Sequence, residues 1–366
     1  MIGCVRSVSS GPCESTIFSP PRNLSTARLA SLTIDCNSLT TKSEQVRKEN
    51  SMDRYGSSNL ASELRERLSV PVVVAPMFLV STVDMVIEAN RAGAIGSIPA
   101  LNARTTAIFA EWVQQIGAAT TASGRDLPWA VNLIVHSTNT RLEADLEVCI
   151  AAKVPAIIAS VGSPAIVIER VRAYGGLVFS DAASIKHARR AAQAGVDGLI
   201  LLTAGAGGNT GWLNPFAFVA EVRKFFDGPI VLAGGISNGR SLAAARMLGA
   251  DMAAVGTSFI AAEESAASAD YRQMLVESDG DDIILTSEVT GIPSNMLRAS
   301  LERSGFVSDG KHEKFDLARE LETVKAWRDV WAGGHGVGDV TRSAPIAHLL
   351  AELGEQYREA LRTSVS

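Results

Sequence analysis

Two segments constrain the fold of this chain more than any others: Ile230-Val-Leu-Ala-Gly-Gly-Ile236 and Met252-Ala-Ala-Val-Gly-Thr-Ser258. Each is a short apolar strand that runs directly into glycine, and residues 239–249 between them carry a helical pattern. Glycines at the carboxyl ends of two successive parallel strands let backbone N–H groups close on a phosphate. That arrangement recurs after the seventh and eighth strands of a (β/α)₈ barrel. The pattern therefore predicts a barrel that holds a phosphorylated cofactor or substrate on its rim.

The rest of the chain agrees with that frame. From Leu60 onward, short apolar or β-branched runs alternate with helical patterns, and eight runs qualify as strands: 72–75, 94–98, 129–134, 156–160, 177–180, 198–203, 230–233 and 252–255. Near-continuous apolar strands suit a parallel sheet covered by helices. A doubly wound open sheet is the rival, and it would need a glycine-rich turn after the first strand. Here Ala75-Pro76-Met77 stands at that point and the glycines come late, so the expected fold class is α/β, a TIM barrel with a C-terminal helical or lid extension. The expected domains are a disordered leader over residues 1–60 and a barrel over 61–262 plus 280–350, interrupted by a helical segment. Ser, Thr and Asn crowd the leader and neither strand nor helix periodicity is sustained there. Met52 shortly precedes the first ordered-looking helix, and a chain started there is expected to keep its stability.

Composition removes several function classes. A net charge of −5 gives no electrostatic footprint for nucleic acid or an anionic membrane. No apolar run approaches the roughly 18 residues that span a bilayer. Three of four cysteines lie in the first 36 residues and only Cys149 falls in the body, as a small apolar residue of a helical pattern. That usage suits a reducing compartment, and cytoplasmic localisation as a monomer or homodimer is expected.

The residues that follow each strand form the rim, where such barrels place their sites. They include Pro76, Met77, Asn132, His136, Asp181, the Ala204–Trp212 glycine stretch, Gly234-Gly235 and Gly256-Thr257. The rim offers no carboxylate pair, no strand-end lysine for a Schiff base and no cluster suited to a metal. A cofactor then carries the chemistry. Flavin mononucleotide (FMN) meets both needs, with a phosphate for the last two strands and a flat ring for the glycine stretch to pack against.

At this point a family becomes visible. Val74-Ala-Pro-Met77, Val131-Asn-Leu-Ile134, the glycine loop 205–211, Ala233-Gly-Gly-Ile236, Gly249-Ala-Asp251 and Gly256-Thr257 follow in order, with Val289–Arg298 and Gly333–Gly338 behind them. From about residue 65 to 345 the sequence resembles the nitronate monooxygenase family, formerly the 2-nitropropane dioxygenases. The resemblance implies an FMN barrel in which Ala75, Pro76 and Met77 line the ring and Asn132 reaches a flavin heteroatom. It implies that Gly207, Gly208, Gly234, Gly235, Gly256 and Thr257 surround the phosphate; Ala233 and Asp181 complete the expected cofactor set. Small-molecule substrate and O₂ are the partners it implies. FMN-dependent enoyl reductases share the layout, so a C=C reductase using NAD(P)H stays open, as does a non-redox phosphate-binding barrel.

Three residues are candidates for the chemistry itself. Of five histidines, His136 follows the third strand and His335 sits in the glycine-rich 333–338 segment; either is placed to touch substrate. Where the family usually reads Gly-Gly-His, its catalytic histidine beside the flavin, this chain has Asn209. Asparagine donates and accepts hydrogen bonds but takes no proton near neutral pH. It would orient a nitronate, which arrives already anionic. The plain alternative is a solvent-facing loop residue tolerant of positive φ.

Overall fold

The computed structural model describes residues 56–125, 127–306 and 330–363. The expected leader lies outside them except for positions 56–60. Within the described residues the expected barrel is present. Its strands are β1 (Val72–Val74), β2 (Ser97–Pro99), β3 (Ala130–Ile134), β4 (Ala156–Ser160), β5 (Leu177–Ala182), β6 (Gly198–Leu202), β8 (Ile230–Ala233) and β9 (Met252–Val255). All pair in parallel in the order β1-β9-β8-β6-β5-β4-β3-β2. A parallel bridge between Val73 and Ile95, with N–H bonds from Val74 to Ile95 and from Ile95 to Val72, joins the two ends of the ring.

Period-2 alternation divides the apolar residues into two layers. Val73, Ile158, Phe179, Ile200, Val231 and Met252 pack against one another inside the barrel. Val72, Val74, Ile157, Val178, Leu199 and Leu201 belong to the larger cluster formed with the helices. Phe179 fills the interior where β6 opens with Gly198, at which a Cβ would lie 2.2 Å from its ring. Helix α1 (Ser58–Arg67) sends Leu64 into the inner cluster and closes the amino-terminal end of the barrel.

Six helices of the ring and lid are α2 (Val83–Arg91), α3 (Thr106–Ala122), α6 (Ile185–Ala194), α7 (Pro215–Arg223), α8 (Gly239–Met247) and α10 (Ala269–Glu277). They start at Thr82, Thr105, Ser184, Asn214, Asn238 and Ser268, whose side chains each accept a first-turn N–H. Helices α4 (Leu142–Ala151) and α5 (Ala165–Arg172) complete this side, and Cys149 is buried in α4.

The helical and lid segment takes the form of an excursion inside the last βα unit. After β9 a single turn, α9 (Thr257–Ile260), leads out of the ring. The chain returns as α12 (Ile346–Thr363), which packs between α8 and α2 and so serves as the eighth outer helix. The two ends of the excursion are clamped: Ala262 bridges Ala344, Ser343 Oγ donates to the Ala261 carbonyl at 2.7 Å, and the Glu264 carboxylate accepts the Ile346 N–H. Within it, α10, β10 (Ile283–Thr286), β11 (Ser294–Leu297) and α11 (Arg298–Arg303) build a small body with its own apolar cluster around Tyr271, Leu297, Trp331 and Val337. Strand β11 also pairs antiparallel with β7, the dipeptide Gly208-Asn209, so the excursion is stitched to the loop after β6.

Asp251, at the amino-terminal end of β9, ties the far end of the barrel together. It is buried and accepts from Arg65 of α1, from Arg223 of α7 at 2.5 Å and from the Ile230 N–H at 2.9 Å. Removing one partner of a buried charged cluster leaves the others uncompensated. Asp251→Ala is expected to cost about 3 kcal/mol, lowering the thermal midpoint by several degrees, with the barrel mouth unaffected; calorimetry with flavin content measured in parallel checks this.

Candidate active site

At the carboxyl ends of the strands lies a cavity of about 410 Å³. Its floor is the top interior layer of the barrel, and that layer is divided. On β1, β8 and β9 it consists of the small side chains Ala75, Ala233 and Ala254; on β3, β4 and β5 it carries Asn132, Ser160 and Asp181. The polar half forms a directed chain. Asn132 Nδ2 donates to Ser160 Oγ at 2.6 Å and to the Ile158 carbonyl at 3.1 Å, and Ser160 Oγ donates to Asp181 Oδ2 at 2.5 Å. Enclosure within the barrel pushes the Asp181 carboxyl up to about 6, opposed by the bond from Ser160.

The glycines shape the next wall. Gly234 and Gly235 have φ of 118° and 68°, which L side chains rarely adopt. A Cβ on Gly234 would lie 2.3 Å from Thr203 Oγ1 and 2.7 Å from the Ala206 N, so the loop after β6 sits directly on it. A Cβ on Gly235 would meet nothing within 4 Å and would project into open space. Gly256 precedes α9, whose first turn has no side-chain cap. Thr257 Oγ1 accepts the N–H of Gly334 at 3.0 Å, so this side chain also anchors the lid.

Ala75, Pro76, Met77, Asn132, Asp181, Gly207, Gly208, Asn209, Ala233, Gly234, Gly235, Gly256 and Thr257 all line this one cavity. His136 and His335 do not. His136 Nδ1 is paired with Thr138 Oγ1 at 2.8 Å, beyond the end of β3. His335 is exposed and approaches the site through its backbone, donating N–H to the Gly205 carbonyl at 3.0 Å. Asn209 is a half-buried strand residue paired with Ser294, and the positive φ of this loop belongs to Gly208 at 64°. The solvent-facing, positive-φ alternative for Asn209 is thereby corrected: Gly208 takes the turn and leaves Asn209 extended. Its Oδ1 accepts from Ser294 Oγ at 3.0 Å.

Several further residues shape the site. Asn295, 1% exposed, donates through Nδ2 to the carbonyls of Ala204 and Ala206 at 2.8 and 2.7 Å and so fixes the glycine loop. Asn102 accepts the Leu79 N–H at 3.0 Å and donates to the Met77 and Ser81 carbonyls. Leu79 and Val161, both in the cavity lining, hold φ of 59° and 56°. Such strain persists only where surroundings over-determine it, and it collects at functional sites. From the lid, Trp331 lines the cavity, stacked on Tyr271 with centroids 4.7 Å apart and backed by Arg303 at 3.7 Å.

A closed parallel barrel with a glycine-lined cavity at the carboxyl ends of its strands has the architecture of a barrel enzyme, with its site at that mouth. The family description nitronate monooxygenase matches residues 62–329, and the chain belongs to the nitronate monooxygenase family of flavin-dependent oxidoreductases. The chain is 28% identical over 254 residues to (3aS,4S,5R,7aS)-5-hydroxy-7a-methyl-1-oxo-octahydro-1H-indene-4-carboxyl-CoA dehydrogenase of Rhodococcus jostii (strain RHA1), covering 68% of this chain and 70% of the relative. The nitroalkane oxidase of Streptomyces ansochromogenes is similar in structure, with a TM-score of 0.69 and 25% identity over 85% of this chain and 100% of its own. FabK from Thermotoga maritima is similar at a TM-score of 0.69 and 25% identity, over 83% of this chain and 97% of its own.

The two glycines differ in how far substitution would disturb the fold. Gly235→Val would place its side chain in the open space beside the rim at a strained φ of 68°, and it is expected to purify folded with a modestly lowered thermal midpoint and its flavin lost. Gly234→Val would in addition drive a Cβ into Thr203 and Ala206 and is expected to lower the thermal midpoint much further. Absorbance of the purified variants beside their melting curves reads both. Full flavin occupancy in Gly235→Val would remove the phosphate role from this turn.

Proposed function

We propose that the chain holds FMN in the barrel mouth and oxidises a small nitronate-like anion, with O₂ as the final electron acceptor. FMN, when bound, supplies the electron acceptor for the substrate and the surface on which O₂ is reduced. The turns at Gly234-Gly235 and Gly256-Thr257 would receive its phosphate, where the open space beside Gly235 leaves room for one. Ala75, Pro76 and Met77 with Ala233 would bound the ring, Gly207 and Gly208 would let the loop backbone approach it, and Asn132 and Asp181 would meet its polar edge.

One observation carries the choice of substrate. Asn209 lines the cavity with its oxygen bonded to Ser294 Oγ, an arrangement in which its amide N–H would serve as the donor to a ligand. No Lys, Arg or His side chain stands among the described residues that line the cavity. Asn209 therefore binds and orients an oxygen-bearing anion and leaves its protons alone. A nitronate needs that and nothing more, whereas a neutral nitroalkane must first lose its α-proton to a base.

A second reading has support of its own. The relative named as a CoA dehydrogenase and the likeness to FabK favour oxidation or reduction next to a thioester carbonyl, whose oxygen the same Asn209 donor would suit. Oxidation of NAD(P)H without oxygen separates a C=C reductase from the nitronate oxidase.

The protein is expected to purify yellow with about one FMN per chain, reduced by nitronates in anaerobic stopped flow. Asn209→Ala should slow that reduction about 10- to 150-fold, the equivalent of about 1.5–3 kcal/mol for a hydrogen bond to a charged group. Asn209→His should keep flavin and gain activity on neutral nitroalkanes, with a new ionisation in the histidine range, since general-base assistance contributes about 10²–10⁴-fold. If both variants reduce flavin at the parent rate, Asn209 has no part in the reaction.

A further inference from the structure

Asp181 is the one carboxylate among the described residues that line the cavity. Its Oδ2 is taken by Ser160, and no described protein group donates to its Oδ1. The neighbouring Asn132 is in the same position: Nδ2 is committed to Ser160 and Ile158, and its Oδ1 has no protein donor among the described residues. Both side chains are fixed to the same Ser160 hydroxyl, at 2.6 and 2.5 Å. Asn132 on β3 and Asp181 on β5 thus line the cavity on either side of Ser160 on β4, each with one oxygen left without a protein donor among the described residues. With Asp181 ionised they are two acceptors. With Asp181 protonated they are an acceptor beside a donor.

The complement of an acceptor beside a donor is an N–H next to a C=O, which is the edge of an imide ring. Flavin carries such an edge, and the alanine half of the floor leaves room for its flat body. We propose that Asp181 binds the flavin's pyrimidine edge in its protonated form, donating to a ring carbonyl while Asn132 Oδ1 accepts the ring N–H, so that the site holds one exchangeable proton beneath the cofactor. This rests on the FMN reading given above.

The surroundings fit a carboxyl that keeps its proton near neutrality. Ser160 and Asn132 face it from β4 and β3, and Ile200 and Leu202 from β6, with no charged group among them. The other titratable lining residue, Tyr271, has its hydroxyl bonded to the Ala332 carbonyl and its ionisation pushed upward by burial. No cation stands among the described residues that line the cavity to hold Asp181 as an anion, and enclosure, opposed by the bond from Ser160, lifts its carboxyl to about 6. A hydrogen bond donated to the ring favours the protonated form further. Binding therefore weakens as pH rises through the Asp181 ionisation, by as much as about tenfold per pH unit above it.

The test uses the full-length holoenzyme and the visible absorption of its bound flavin between about pH 5 and 8, a range in which a perturbed carboxyl, a histidine, a thiol, the α-amino group or the cofactor's own phosphate titrates, so that the Asp181 variants assign the transition. The parent is expected to show one spectral transition with a midpoint at or above about pH 6. Asp181→Asn, whose amide donates at every pH, is expected to keep its flavin, to hold the low-pH spectrum throughout, and to retain flavin better than the parent on dilution at about pH 8. Asp181→Ala is expected to bind FMN about 2- to 12-fold more weakly than Asp181→Asn, the loss of one neutral hydrogen bond. A flat parent titration, a transition that survives in Asp181→Asn, or flavin lost equally from both variants overturns the proposal while FMN binding stands. A colourless parent that takes up no added FMN overturns both.

Discussion

The carbonyl oxygen of Gly205 accepts the N–H of Gly235 at 3.2 Å and the N–H of His335 at 3.0 Å. Through this one atom the loop after β6, the turn after β8 and the lid segment meet. The approach is backbone to backbone, and side chains would prevent it: a Cβ on Gly334 would lie 2.7 Å from that oxygen, and one on Gly207 would lie 2.8 Å from the Gly334 N. Three glycine-rich stretches far apart in sequence are thus parts of one contact. The cavity exists because they close around it. Asn295 reinforces the junction by occupying the carbonyls on either side of Gly205, and Thr257 secures the lid strand that lies over it. A barrel mouth built from main chain is stiff and offers N–H groups and little charge, which suits a cofactor more than a reactive side chain.

Around this junction the energetics run against folding at several points. Leu79 and Val161 hold left-handed backbone, each costing on the order of 1–3 kcal/mol, and Asp181 keeps a carboxyl in an enclosed pocket. The large apolar layers offset these terms: the outer cluster links every strand to its helices, while Asp251 and its arginines close the opposite end. Two of the three left-handed non-glycine residues among those described, Leu79 and Val161, stand at the carboxyl-terminal mouth, while the third, Lys153, precedes β4 at the other end.

The barrel was legible because its strands are continuous apolar runs and its last two strands end on glycine, at Gly234-Gly235 and Gly256-Thr257, both local patterns. The placement of Pro76, Met77, Asn132 and Asp181 at the cavity followed from strand ends, and that of Ala75 from the family resemblance. What could not be read was pairing over long separations. Nothing near Gly208-Asn209 announces that β11, some 85 residues later, will make it a strand. Asn295 and Trp331 act across comparable distances. Direction was equally hidden: the sequence brings His335 to the site, yet only the fold shows that its backbone faces inward and its ring outward. Glycine-rich segments approach ligands through main chain, so a side chain embedded in one is a poor candidate for chemistry.

The geometry also separates two tasks that a single histidine would combine. Asp181 lies on the floor, inside the barrel; Asn209 lies in the antiparallel sheet that the lid completes. A flat ring resting on the alanine half of the floor would have Asp181 at its polar edge and the Asn209 amide toward the lid. On that reading a proton held by Asp181 tunes how the ring is bound and is badly placed to remove one from a substrate above it. A base missing at position 209 would then go uncompensated, which is the ground for proposing a substrate that arrives as an anion or needs only a polarised oxygen.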